Sequence, residues 1–239
     1  MIMEKILKKF EGIDRFTPSH KLPANSIHIH KEVFRYNDLI IKYTNTEKNN
    51  AFLFENESFW YKCLQGVSFI PEFYGKYYLD GRIYLVIEYI DCKTLDREDK
   101  KRNKSLYSNY SLLKEKLYYV LDVFQKLNIT HKDLRPHNIL VSHDLSICKV
   151  IDFQFCSRIG RDIKTIDHKQ KLFYNKAMLN VGGRWRQPNI LQQDYHSDKY
   201  AIDKVLYDIY LKGMLSFIPE NIWNIVYSLP YKLNLVKKQ

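Results

Sequence analysis

The feature that most constrains this chain is a polar loop between two apolar runs, which extends over His131–Val141 and is followed by Asp152. Asp133 stands five residues before Asn138, and Asp152 comes fourteen residues after that Asn. One carboxylate of such a set can orient and deprotonate a hydroxyl, while the amide and the second carboxylate hold Mg²⁺ on a nucleotide. The pattern therefore indicates phosphoryl transfer. The alternative is a turn with solvated carboxylates between two strands.

The two motifs together resemble the catalytic loop and the metal-binding motif of the protein kinase-like superfamily, H-x-D-L-x-x-x-N followed by D-F-G. The resemblance implies that Asp133 is the base that orients the acceptor hydroxyl, and that Asn138 and Asp152 are the Mg²⁺ ligands. Arg135 is expected to screen the γ-phosphate of ATP, although a surface arginine is the alternative. Leu140, in the apolar run after the loop, is expected to contact the nucleotide.

A lysine and an acid upstream are the expected phosphate clamp. Lys42 ends an apolar run, where a lysine can also be a snorkelling surface residue. The resemblance makes it the strand lysine that binds the α- and β-phosphates. Glu57 is the expected partner of Lys42, because its spacing to Gly66 and Pro71 (E-x8-G-x4-P) is similar to that of many kinase-like sequences. Glu55 lies on the same predicted helix, 51–64, and is the alternative partner.

A hairpin is predicted from Phe73 to Tyr89, with a turn at Asp80-Gly81. Its second strand ends in Glu88, and this end resembles the kinase hinge. The resemblance implies that backbone groups at Glu88 and Ile90 meet the adenine, with Ile87 at the back of the pocket.

A second resemblance follows the metal-binding motif. Val181–Leu191, which includes Arg184 and Arg186, is similar to the end of a protein kinase activation segment. Asp198 then resembles the helix acid that accepts N–H bonds from the loop around His131. An acid in the first turn of a helix, favoured by the helix dipole, is a compatible interpretation of Asp198.

Four departures from the family limit these expectations. His20–Asn25 has no glycine where a Gly-rich phosphate loop belongs, and Ile40 stands where a small residue usually covers the adenine. Gln154 replaces the glycine of D-F-G, which removes backbone freedom, and Asn189 replaces a glutamate. Such losses are typical of compact kinase-like enzymes that act on sugars, lipopolysaccharide cores or small molecules.

The resemblance implies an α+β, two-lobed fold with ATP and Mg²⁺ in the cleft. Residues 1–90 should form a small antiparallel-sheet lobe and residues 91–239 a mainly helical one. The leading function is phosphorylation of a hydroxyl, with a cell-surface glycan such as a lipopolysaccharide core sugar as acceptor. A protein Ser, Thr or Tyr is the alternative acceptor. A pseudokinase, which is a binding scaffold, is the alternative of another class.

Charge and composition bear on partners and location. The net charge is +11, and residues 153–187 hold eight Lys/Arg against two Asp/Glu. A solvated basic face is one interpretation and an anionic acceptor, either a glycan or an acidic protein, is the other.

Met1–Ile13 has amphipathic spacing that would suit an anionic membrane surface or packing against the protein. The sequence shows no secretion signal and no run long enough for a membrane span, and its four cysteines have no metal-ligand or redox spacing. We therefore expect a cytoplasmic protein with reduced thiols, and no nucleic-acid partner.

Overall fold

The computed structural model describes residues 26–30, 32–79, 81–96, 100–164, 167–180 and 195–217. The chain divides into two compact units. The first extends to Asp91 and also takes in Phe153–Phe155 and Ile163–Leu179, which return to it later in the sequence. The second contains Cys92–Asp152, Cys156–Asp162 and the chain from Asn180 onward.

The first unit is built on a five-stranded antiparallel sheet in the order β1-β2-β3-β5-β4. Every residue from Ile83 to Ile87 is buried in β5, which lies between β3 and β4. Asn37 turns the chain between β2 and β3 with a positive φ of 53°, which asparagine tolerates. The strands are β1 Ser26–His30, β2 Val33–Tyr36, β3 Leu39–Asn45, β4 Phe73–Leu79 and β5 Arg82–Glu88.

The described part of the first unit also contains the helices α1 (Ala51–Cys63) and α4 (His168–Asn180). The α1 helix buries an aromatic-rich face, with Trp60 and Tyr61 among its buried residues. The ring of Tyr61 meets Phe153 edge-on at 5.2 Å, and Phe52 meets Phe173 of α4 at 6.2 Å. The short 3-10 turn Phe153–Phe155 is therefore packed directly on α1.

The second unit is mainly helical, with α2 (Lys100–Ser108), α3 (Tyr110–Lys126) and α5 (Tyr195–Leu215). Leucines 113, 117 and 121 recur along α3 at helical spacing and are fully buried. Gly213 of α5 lies so close to α2 that an added Cβ would be 2.2 Å from Tyr107 Cβ. The small strands form two sheets: β6 Lys93–Thr94, β8 Ile139–Val141 and β9 Cys148–Val150 in one, β7 Ile129–Thr130 and β10 Ser157–Arg158 in the other.

The predicted hairpin is present, with Leu79 opposite Arg82 and Gly81 at a φ of 69°. Three of the predictions lie outside the described residues: the helix at Met1–Ile13, the glycine-free stretch His20–Asn25 and the segment Val181–Leu191. Within the described ranges, no helix is both long and apolar enough to cross a membrane.

Candidate active site

The first unit contains a buried ion pair between β3 and α1. Lys42 Nζ lies 2.7 Å from Oε1 and 2.8 Å from Oε2 of Glu57. Glu57 has no exposed surface, and the Lys42 side chain is 13% exposed. A buried carboxylate is costly unless a cation and hydrogen bonds compensate it, so the pair fixes the ammonium at one place beside the helix.

Glu55, the alternative partner in the sequence, points elsewhere. It forms an ion pair with Lys76 of β4 and accepts a hydrogen bond from the Tyr78 hydroxyl. Residues two apart on a helix lie about 200° apart around its axis, so Glu55 and Glu57 cannot both face Lys42. The structure thus answers the question that the sequence left open in favour of Glu57.

In the second unit, Asp198 of α5 anchors the polar loop. Its Oδ2 accepts hydrogen bonds from His131 N at 2.7 Å and Thr130 Oγ1 at 2.9 Å, and its Oδ1 accepts one from Lys132 N at 2.9 Å. Complete burial raises the pKa of Asp198 to about 6, and these hydrogen bonds oppose the rise. The expected N–H bonds to the loop around His131 are confirmed.

The imidazole of His131 connects the loop to the residue before Asp152. Its Nε2 lies 3.1 Å from the Ile151 carbonyl oxygen, and its Nδ1 lies 3.2 Å from Asp133 N. A carbonyl can only accept a hydrogen bond and a backbone N–H can only donate one. These partners therefore assign the proton to Nε2 and make the ring neutral.

Asp133 and Asn138 form the centre of the loop. The Asn138 Nδ2 donates to both the backbone oxygen and Oδ2 of Asp133, each at 2.9 Å. Oδ1 of Asp133 lies 3.2 Å from Arg135 Nε, but among the described residues it accepts no well-aligned hydrogen bond. One carboxylate oxygen is thus held in place while the other can receive a proton.

Burial raises the pKa of Asp133 to about 7. The Arg135 guanidinium and the Asn138 hydrogen bond oppose this shift, whereas the negative charge of Asp152 adds to it. A general base works best when its pKa is near the operating pH. The environment of Asp133 therefore suits proton acceptance at neutral pH.

Asn138 and Asp152 supply the oxygens that a Mg²⁺ ion prefers. Both amide hydrogens of Asn138 point to Asp133, so its carboxamide oxygen is the atom that can bind a cation. Asp152 has a φ of 71°, an uncommon conformation for a residue other than glycine. Mg²⁺ typically takes one or two protein oxygens together with waters and substrate phosphates, and the two side chains fit that role. Within the described ranges no cluster of three or more His, Cys, Asp or Glu could hold a metal ion.

Lys132 is a residue that the sequence reasoning missed. Its side chain is 1% exposed, and its Nζ donates to the Arg161 carbonyl at 2.9 Å and lies 3.3 Å from Asp162 Oδ1. Burial lowers the pKa of Lys132, and the Asp162 carboxylate opposes the shift. The residue has a positive φ of 65°. Its place between His131 and Asp133 is visible in the sequence, but the pairing with an acid thirty residues later carries no local signal.

The other predicted nucleotide contacts are at Glu88, Ile90 and Leu140. The Glu88 carboxylate accepts a hydrogen bond from Glu72 N at 3.0 Å, and the Glu88 N–H donates one to the Glu72 carbonyl oxygen at 2.9 Å. Ile90 is buried, and Leu140 is half-buried in β8. Their roles stay predictions, and Arg184 and Arg186 lie outside the described residues.

Comparison with known proteins decides the family. The model of the protein kinase domain matches residues 29–221, well over half of the chain. The chain belongs to the protein kinase family. The match includes Lys42, Glu57, the whole polar loop and Asp152, so the sequence-based assignment to the protein kinase-like superfamily is confirmed.

Individual relatives are distant. A probable serine/threonine-protein kinase of Clostridium perfringens is 28% identical over 134 residues, which are 56% of this chain and 18% of the relative. Protein kinase wis1 of Schizosaccharomyces pombe is 22% identical over 165 residues, 66% of this chain and 25% of that protein. The chain therefore spans about a quarter or less of the length of these relatives.

Among solved structures, the PK-1 kinase of the Cydia pomonella granulovirus matches with a TM-score of 0.52. The match covers 87% of this chain and 72% of the viral one at 13% identity. An identity this low carries the fold alone. The structural match confirms the predicted α+β, two-lobed kinase-like fold.

Proposed function

We propose that this chain transfers the γ-phosphate of ATP, in an Mg²⁺-dependent reaction, to the hydroxyl of a serine or threonine in a protein. The observation that carries the proposal is the state of Asp133: Asn138 holds one oxygen, the other accepts no well-aligned hydrogen bond from the described residues, and the pKa is near 7. The similarity to relatives named as serine/threonine-protein kinases, such as that of Clostridium perfringens, favours a protein serine or threonine as acceptor.

The roles of the site residues follow from their chemistry. Lys42, held by Glu57, would bind phosphate oxygens of ATP as a point charge. The oxygens of Asn138 and Asp152 would ligate Mg²⁺, which when bound supplies positive charge against the phosphate oxygens. Arg135 would add a further positive charge beside the reacting groups, because its guanidinium is already near Asp133.

Asp133 would orient and deprotonate the acceptor. The hydroxyl donates its hydrogen bond to Oδ1, its oxygen forms the new bond to the γ-phosphorus, and the bond to the β–γ bridging oxygen breaks to release ADP. The hydroxyl proton passes to Oδ1 of Asp133. Phosphoryl transfer depends mainly on such positioning and on charge neutralisation, and the hydrogen bonds of Asn138 and Asp198 support the positioning.

An anionic glycan, such as a lipopolysaccharide core sugar, is the second candidate acceptor. The observation that favours it is the excess of six positive charges in residues 153–187. The described part of this excess includes Lys169, Lys171 and Lys176 on α4. An acidic protein segment would meet the same charge, so the acceptor class needs a direct experiment.

The test uses γ-labelled ATP with Mg²⁺ and three acceptors in parallel: dephosphorylated casein, histone and dephosphorylated lipopolysaccharide. Label on casein or histone that disappears with Asp133→Asn supports the protein acceptor, and label on lipopolysaccharide supports the glycan. Thermal unfolding with ATP, with and without EDTA, is measured on the same samples. Mg²⁺-dependent stabilisation by ATP without label on any acceptor would overturn the proposed transfer and favour a binding scaffold.

A further inference from the structure

The residue that precedes Glu57 on α1 has a contact that neither motif requires. Asn56 Nδ2 donates a hydrogen bond of 2.9 Å to the backbone oxygen of Gln154, a residue 98 positions away in the sequence. Two consecutive residues of α1 therefore contact different parts of the protein. Glu57 holds the ammonium of Lys42, and Asn56 holds the main chain of the turn that follows Asp152.

The turn itself is restrained on both sides of that hydrogen bond. Phe153 has no exposed surface and packs on Tyr61, while Phe155 is buried 6.2 Å from the ring of Tyr174. Gln154 lies between the two phenylalanines. In the family motif this position is a glycine, which can adopt positive φ at little cost, whereas a glutamine has lost that freedom.

Asp152 is the residue that this turn has to hold. Its φ of 71° is uncommon for a residue with a side chain, and such conformations persist only where the surroundings enforce them. The turn begins at the next residue, so whatever fixes Phe153–Phe155 also limits the conformations open to Asp152. The hydrogen bond from Asn56 to Gln154 is a polar contact within that restraint.

We propose that Asn56 is a positioning residue, whose hydrogen bond to the Gln154 carbonyl keeps the turn after Asp152, and with it the metal-binding carboxylate, in one conformation before any ligand binds. The role of Asp152 toward Mg²⁺ rests on the proposed function. The fixed turn rests only on the contacts above. In this chain the amide at position 56 supplies the restraint on the turn, and residue 154 contributes the main-chain carbonyl that accepts its hydrogen bond.

The test compares Asn56→Ala with a control on the same helix, Lys62→Ala, whose side chain is exposed. Alanine is the best helix former, so neither change weakens α1. Amide hydrogen exchange is measured across residues 153–157 in protein free of nucleotide and metal. Loss of one hydrogen bond corresponds to roughly two- to tenfold faster exchange, which we expect for Asn56→Ala and not for Lys62→Ala.

A second readout addresses the metal. The Mg²⁺ concentration that gives half of the ATP-dependent thermal shift should rise several-fold in Asn56→Ala, while the shift at saturating Mg²⁺ is restored. Gln154→Gly keeps the carbonyl, so its turn should stay protected as long as Asn56 is present. The double variant should exchange faster than either single one.

The failures of the two proposals can be told apart. Unchanged exchange at residues 153–157 in Asn56→Ala would overturn the positioning role, whatever the activity. A wild-type protein that shows no Mg²⁺-dependent stabilisation by ATP would overturn the proposed function and leave the exchange result as the test of the turn. If Asn56→Ala does not fold, loss of protection in Gln154→Gly alone would count against a restraint supplied by Asn56.

Discussion

Arg135 places its Nε 3.2 Å from Oδ1 of Asp133, the oxygen that accepts no well-aligned hydrogen bond from any described residue. The guanidinium lowers the cost of ionising a buried carboxylate without blocking it through an ideal hydrogen bond. Burial still raises the pKa of Asp133 to about 7, although the guanidinium opposes this shift. The two predictions below, on turnover and on the pH dependence of stability, both follow from the environment of Asp133.

The first prediction concerns activity. Asp133→Asn keeps the shape of the side chain and removes the base, so kcat should fall by about 10²–10⁴, while the KM for ATP stays nearly unchanged. Steady-state kinetics with the acceptor that takes up label in the experiment described above measure both constants. Asp122→Asn is the control, because Asp122 is a half-exposed partner of Lys126 on α3. A variant that keeps most of its turnover would remove Asp133 from the mechanism.

The second prediction concerns pH and stability. Burial raises the folded-state pKa of Asp133 from 3.8 to about 7, so the folded state binds the proton more tightly than the unfolded state. The contribution to stability is fully present below pH ~4 and is lost as the pH rises through ~7. Asp133→Asn, which cannot ionise, should therefore gain on the order of a few kcal/mol over the wild type at pH 8, and little at pH 4. Denaturant unfolding at both pH values measures the difference. An equal difference at pH 4 and pH 8 would contradict the raised pKa.

The third prediction compares the two acids of α1. Glu57→Gln leaves the Lys42 ammonium in a largely buried site without its counter-charge, and breaking such a pair costs about 3–5 kcal/mol. Glu55→Gln affects an ion pair with a 42% exposed carboxylate, and exposed pairs contribute about 1 kcal/mol or less. Urea unfolding of both variants gives the two values. Similar losses of unfolding free energy in the two variants would contradict a larger contribution from the buried ion pair.

The fourth prediction concerns the acceptor. If the basic segment 153–187 binds an anionic acceptor, the acceptor KM should rise steeply between low salt and ~0.5 M salt, because the Debye length shrinks to a few Å. The double variant Lys169→Glu/Lys171→Glu should raise this KM and leave that for ATP unchanged, whereas Lys62→Glu, also an exposed lysine of the first unit, serves as control. Acceptor kinetics that do not respond to salt would exclude a role for this charge.

The sequence predicted those parts of the site that depend on local spacing. The polar loop, Asp152, Lys42 and the acid Asp198 are recognisable because a motif fixes both the residue type and its distance along the chain. The choice between Glu55 and Glu57 depends on the rotation of α1 about its axis. That rotation is set by packing against β3 and β4. The helical pattern of a few residues does not determine it.

Contacts between residues that are far apart in the sequence could not be predicted, for a different reason. The sequence indicates that Gln154 loses the freedom of a glycine, but not that Asn56 binds its carbonyl from 98 residues away. The same holds for Lys132 and Asp162. Each pair consists of ordinary polar residues with no distinctive neighbours, so only the packed fold brings them together.

The three hydrogen bonds that Asp198 accepts have a consequence for the order of folding. The loop at His131 and Lys132 takes its shape from a side chain that is 66 to 68 residues further along the chain. A growing polypeptide will therefore have made the entire polar motif well before the motif can adopt its working geometry. The loop reaches this geometry only once α5 has docked, and until then the chain contains the polar residues of the motif without the hydrogen bonds that position them.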